Sequence, residues 1–145
     1  MLRRVRRFFE LPPRDRALLV RARLQLSLAS ATLTLGGLRR ATTLIDRLNP
    51  PAAPTSAVDE SARVRRTVEL VDQASRFGPG GTCLTRSLVL RGLLRRQGIE
   101  STVRMGVRKE HAVEGHAWVE VAGHPINDTP DVHERYAPLP TEAGR

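Results

Sequence analysis

Cysteine is almost absent from this chain: Cys83 is the only one in 145 residues. That excludes an internal disulfide framework and any zinc site built on cysteines. A reducing cytoplasm is the simplest compartment. Lysine is equally scarce, Lys109 being the single lysine among 24 basic residues. Aromatic residues make up 3% of the chain and do not interleave with the arginines in the way base stacking on nucleic acid requires. Long apolar runs are missing too. Arg21 and Arg23 interrupt "ALLVRARLQLSLASATLTLGGL", leaving about 15 uncharged residues against the ~20 of a membrane span. The basic start "MLRRVRRFFE" and the triplet "ASA" imitate a secretory signal without completing one. An amphipathic helix, docked on protein or lying on a membrane surface, is the expectation for this stretch.

What is present suits one domain with a real core, with or without an appendage. Charge divides the chain. Residues 1–50 hold 11 Arg against 3 acids, a net +8, whereas residues 51–145 are close to neutral at +1. The expected division is therefore a basic helical segment over 1–50 and a separate core over 51–145.

Periodicity orders the elements. Pro12 and Pro13 precede a helix start, and Leu18, Leu19, Leu24, Leu26 and Leu28 form one or two apolar faces. Gly36 and Gly37 break this helix, and "LRRATTLIDRL" begins another. "NPPAAPTS" is a linker. Ser56 and Asp59 resemble a capping pair for a helix over about 57–77. After the turn Gly78–Gly81, the residues Leu84, Leu88, Val89, Leu93 and Leu94 share a helical face that ends at Gly98. The period then becomes two. Val103, Met105 and Val107 alternate with Arg104 and Arg108, and Ala117, Val119 and Val121 alternate with His116, Trp118 and Glu120. "AGHPIND" turns into a short third strand. The fold class is α+β: helices, a helix carrying the thiol, then two or three antiparallel strands.

Cys83 thus falls in the first turn of a helix, after a glycine-rich approach. A lone cysteine in a helix is most often a small buried hydrophobe. Here, however, the unpaired N–H groups and the positive end of the helix dipole favour a thiolate and face a developing oxyanion. A nucleophilic cysteine also needs a base, and the base needs an orienting group. His116 opens a strand, and Asp128 follows 12 residues later in the next one, so adjacent antiparallel strands can set the two side by side. His111, His124 and His133 compete with His116, and Asp131 competes with Asp128. His111 and His124 lie at turns, and Asp131 follows Pro130.

"GTCLTRSLVLRGLLRRQGIESTVRMGVRK" followed by "EGHAWVEVAGHPIND" resembles the transglutaminase-like cysteine peptidases of lasso-peptide biosynthesis, over roughly Val58 to Leu139. The resemblance implies a papain/transglutaminase-like core in which the helix-borne cysteine packs on a small antiparallel sheet, preceded by N-terminal helices. It implies an enzyme that removes the leader from a ribosomally made precursor peptide. Cys83 is then the nucleophile, His116 the general base and acid, and Asp128 the orienter. A separate asparagine-synthetase-like cyclase closes the macrolactam. With residues 1–50 helical, the chain resembles the stand-alone peptidase form, which implies a small separate leader-recognition protein.

Around this triad, the Cys83 backbone N–H is one oxyanion donor and Gln73 a candidate second. Gly81, Thr82 and Trp118 are candidates to line the substrate groove. Arg86 and Arg91 are expected on a solvated helix face. No metal or cofactor is expected, and no nucleic-acid partner. Two rival functions remain open: acyl transfer on the same triad, and a non-enzymatic basic adaptor binding nucleic acid or a membrane surface through Arg3, Arg4, Arg6, Arg7, Arg14 and Arg16.

Overall fold

A computed structural model describes residues 6, 8–54 and 56–140. Of the arginines expected to meet a partner, Arg3, Arg4 and Arg7 lie outside these residues. Arg6 lies within them and pairs with Glu10.

The first long helix, α1 (Pro13–Leu48), begins behind Pro12 with proline in its first turn and Asp15 near its positive end. It is two helical arms joined at Gly37, whose φ of 78° and ψ of 178° reverse the chain. The arms fold into a hairpin. Its closure is recorded in the buried pair Gln25 and Asn49, 12 residues on either side of Gly37, which exchange two side-chain hydrogen bonds of 3.1 and 2.8 Å. Leu26 is fully buried, and Leu18 and Leu19 pack partly buried against the core, whereas Leu24 and Leu28 point outward. The leucines therefore do form two faces.

α2 (Ala57–Ser75) follows the proline-rich linker. Ser56 occupies its N-cap position without a side-chain capping bond, so the expected Ser56–Asp59 exchange is reduced to the backbone bond from Asp59 N–H to the Ser56 carbonyl. α3 (Cys83–Arg95) is the central helix. Thr85, Ser87, Leu88, Val89, Leu90, Gly92, Leu93 and Leu94 are all buried, as expected of a helix packed on every side. α1 and α2 cover one side of it and the sheet covers the other. Ala22, Leu26, Ile45, Val71, Leu90, Leu94, Ile99 and Val119 belong to one continuous hydrophobic core. Arg86 and Arg91 are not merely solvated: they reach Asp72 of α2 and Asp46 of α1, because both neighbours place a carboxylate beside the central helix.

The sheet is antiparallel, in the order β3–β2–β1–β4: β1 (Thr102–Lys109), β2 (Val113–Val121), β3 (His124–Pro125) and β4 (Ala137–Pro138). A short helix, α4 (Val132–Arg135), precedes β4. Gly106 pairs with His116 and Arg104 with Trp118, so these four residues share one face. That face carries a second small core of Trp118, Val132 and Tyr136, while Val119 turns to the α3 side. β4 and α4 escape the sequence pattern because two and four residues are too few to display a period.

Candidate active site

Cys83 is the first residue of α3 and half-buried. Its position depends on a tightly tied loop. Thr82 caps the helix, its hydroxyl accepting from the Thr85 N–H at 3.3 Å. The Thr85 hydroxyl donates to the Gly80 carbonyl at 2.6 Å. Gly80 is buried with φ 97°, and a Cβ there would stand 2.4 Å from the Leu26 carbonyl oxygen of α1. Only glycine satisfies both conditions. Arg23 of α1 donates to the Pro79 carbonyl at 2.9 Å and to Ser27 at 2.7 Å. The basic N-terminal helix therefore supports the cysteine loop directly, although every candidate catalytic residue lies more than 40 positions beyond that helix's last core residue in α1's first arm, Ala29.

His116 and Asp128 are brought together. Nε2 of His116 hydrogen-bonds Oδ2 of Asp128. An ionised carboxylate only accepts, so Nε2 carries the hydrogen and Nδ1 is left to take a proton. Asp128 is itself held in place. Its Oδ1 accepts from Arg135 at 2.7 Å and from the Thr129 N–H at 2.8 Å. Burial pushes its carboxyl up, but the His116 hydrogen bond, the Thr129 N–H and the positive charge of Arg135 outweigh that and hold it below the usual aspartate range. The His116 ring stacks on Tyr136, with centroids 4.8 Å apart. Gly106 makes room for that stack, since a Cβ there would come within 2.9 Å of the Tyr136 Cβ.

The loop after β3 joins this pair to α3. Asn127 accepts from the Val119 N–H at 2.7 Å and reaches Ser87 at 3.5 Å. Ser87 lies one turn beyond Cys83 on the same side of α3. The consecutive residues Asn127 and Asp128 thus face α3 and His116 respectively, and the thiol helix and the imidazole converge on one loop. Cys83 itself makes no hydrogen bond to His116 among the described residues.

The other candidates are placed as follows. Trp118 is fully buried, donates from Nε1 to Glu120 at 2.9 Å, and offers no surface to a ligand in this structure. Thr82 is the helix cap, Gly81 is exposed beside it, and Gln73 is exposed on the last turn of α2. His111 is exposed in the β1–β2 turn. His124 is exposed and bonds the Ala122 carbonyl, and His133 pairs with Glu120. Asp131 precedes α4, off the sheet, and bonds Thr129. Arg23, Asn127, Arg135 and Tyr136 went unassigned in the sequence. Asn127 was visible within "IND", but its role appears only when β2 and α3 meet. Among the described residues, no three His, Cys, Asp or Glu side chains gather to hold a metal, and no helix is long and apolar enough to cross a membrane.

The structure thus sets a thiol at a helix start, a histidine on β2 and an aspartate in the loop after β3 around one part of the fold. The chain belongs to the transglutaminase-like superfamily, whose family model matches residues 16–141. That family contains cysteine peptidases and acyltransferases. No curated protein and no solved structure matches the chain.

Proposed function

We propose that the chain is a cysteine peptidase that removes the leader from a ribosomally made lasso-peptide precursor. The observation that carries the chemistry is the Arg135–Asp128–His116 chain of contacts, linked through Asn127 and Ser87 to the helix that Cys83 opens. The substrate is inferred from the run "CLTRSLVL" with "HAWVEV" and "IND".

In this mechanism Nδ1 of His116 takes the Cys83 proton, and the thiolate attacks the carbonyl carbon of the scissile bond. The oxyanion that forms lies against the N–H groups opening α3, where the Cys83 N–H is one donor. Collapse breaks the C–N bond. His116 returns its proton to the departing amine, the core peptide, and leaves the leader as a thioester on Cys83. Water then attacks the thioester, giving its proton to His116, and the leader leaves with a free carboxylate while the thiol is restored. Asp128 orients the ring and stabilises the imidazolium without reacting. Catalytic hydrogen bonds are commonly long in unliganded enzymes and tighten with substrate bound, which is where the Cys83–His116 contact belongs.

The proposal includes a reducing cytoplasm, a separate leader-recognition protein, and a downstream asparagine-synthetase-like cyclase that takes the freed amine. The test is incubation of full-length precursor with the chain and its recognition protein, followed by mass spectrometry. Release of intact leader and core, blocked by iodoacetamide, supports the proposal. Leader recovered as an amide of an added amine, and never as the free acid, makes the enzyme an acyltransferase instead. Cleavage indifferent to iodoacetamide overturns the thiol chemistry altogether.

A further inference from the structure

The outward side of α1 is apolar where a solvated helix should be polar. Ala17, Val20, Leu24, Leu28, Ala31 and Leu35 recur at steps of three and four and form one stripe. All six are exposed, Leu24 by 61% and Leu35 by 87%. The core does not account for them, since Ala22, Leu26 and Ala29 supply the buried face of the same helix. From Ala17 to Leu28 the stripe lines a groove of about 500 Å³, with Leu48 and Arg96 on its other side. The only charged residues lining it are Arg21 and Arg96, and no acid is present. Neither guanidinium takes part in an ion pair among the described residues. The neighbouring acids are committed elsewhere: Asp15 to Arg66, and Asp46 to Arg91 and Arg95.

We propose that this groove docks one amphipathic helix of a partner protein, with leucine-type residues in the groove and Glu or Asp on its flanks facing Arg21 and Arg96. The stripe from Ala17 to Leu35 is ~27 Å long, enough for about five turns of such a helix. Burying it without acids would strand two unpaired cations at the rim, which is why the partner is acidic. A second copy of this chain is disfavoured, because pairing the stripes about a two-fold axis adds like charge to like. A bilayer is disfavoured by shape: a groove walled by Leu48 and Arg96 suits a cylinder about 10 Å across better than a flat surface. These arguments do not depend on the peptidase chemistry.

The test uses two fluorescent helical peptides with the same leucine spacing, one flanked by Glu and one by Lys, titrated against the full chain by anisotropy. The Glu peptide is expected to bind at least ~10-fold more tightly than the Lys peptide. Leu24→Asp with Leu28→Asp should weaken it by more than ~10-fold, and Arg21→Glu with Arg96→Glu should reverse the preference. All four positions are outside the core, and unchanged thermal melting verifies the fold. Binding by neither peptide overturns the proposal, as does equal binding of both that ignores the charge reversals. Two further arms identify the alternatives. If the Leu24→Asp/Leu28→Asp pair abolishes sedimentation with phosphatidylcholine–phosphatidylglycerol vesicles while neither peptide binds, the face belongs to a membrane. If it abolishes a concentration-dependent dimer instead, the face is self-complementary.

Discussion

The guanidinium of Arg23 donates to the carbonyl of Pro79 at 2.9 Å, tying the first helix to the loop four residues before the thiol. A charge-assisted bond of this kind contributes about 1.5–3 kcal/mol when buried and less where water reaches it, as it does here. Arg23→Ala should therefore cost only about 1 kcal/mol in unfolding experiments. Its effect on turnover should be larger, on the order of 10-fold in kcat, because a small misplacement of the nucleophile is magnified in the rate. Gly80→Ala attacks the same loop from the other side and should lower both stability and kcat. A variant Arg23→Ala with wild-type kcat would show that the loop holds itself.

The triad variants should separate by role. Cys83→Ala should abolish leader cleavage while leaving the circular dichroism spectrum unchanged. His116→Ala should come close to it. Asp128→Ala should retain roughly 10- to 100-fold more activity than Cys83→Ala if the carboxylate, as proposed, orients and does not react. Arg135→Ala should fall between Asp128→Ala and wild type, because Thr129 still holds the same carboxylate oxygen. Leader cleavage is read by chromatography and mass spectrometry. Persistent cleavage by Cys83→Ala would refute the assignment of the nucleophile.

Acid should weaken the fold partly through Asp128. Its carboxyl is held below the usual aspartate range in the folded chain and returns to about 3.9 on unfolding. A group depressed in this way stabilises the fold above its unfolded pKa, and the contribution is lost as pH falls through the folded value. The melting temperature, followed from pH 7 to pH 3, should drop through the carboxylate range. In Asp128→Asn the neutral-pH melting temperature should be lower and the acid decline shallower. Some decline should remain, since Thr129 holds the Asp131 carboxyl down and Arg108 does the same for Glu114.

The α1 hairpin is specified by a polar pair inside an apolar core. Gln25 and Asn49 satisfy each other while almost wholly buried. Gln25→Leu should cost about 1–3 kcal/mol, because it leaves the Asn49 amide group short of a partner. Asn49→Leu should cost at least as much, since it also removes the bond to the Ile45 carbonyl. The double variant should be less destabilised than the sum of the two, as measured by urea titration. Strict additivity would mean that the pair is not coupled.

The thiol helix, the sheet and the order of the three candidate residues follow from local rules that sequence alone expresses. A proline–glycine turn before a 3.6-residue apolar period marks α3, and strict alternation marks β1 and β2, so Cys83 and His116 could be placed on their elements before any coordinates, while the preference for His116 and Asp128 over their competitors is what the family resemblance implies. The contacts that make a site of them could not be placed that way. Whether Asp128 or Asp131 meets His116 depends on where the loop after β3 runs along β2, and that is decided by Asn127 bonding across to Val119 and Ser87. Arg135 and Tyr136 reach the site only because a single-turn helix folds back over Gly106. The support of the cysteine loop by Arg23 joins residues 56 positions apart. Periodicity reports which face of an element is apolar. It carries no information on which distant polar group that face will meet, because side-chain hydrogen bonds depend on distances that only the packed chain defines.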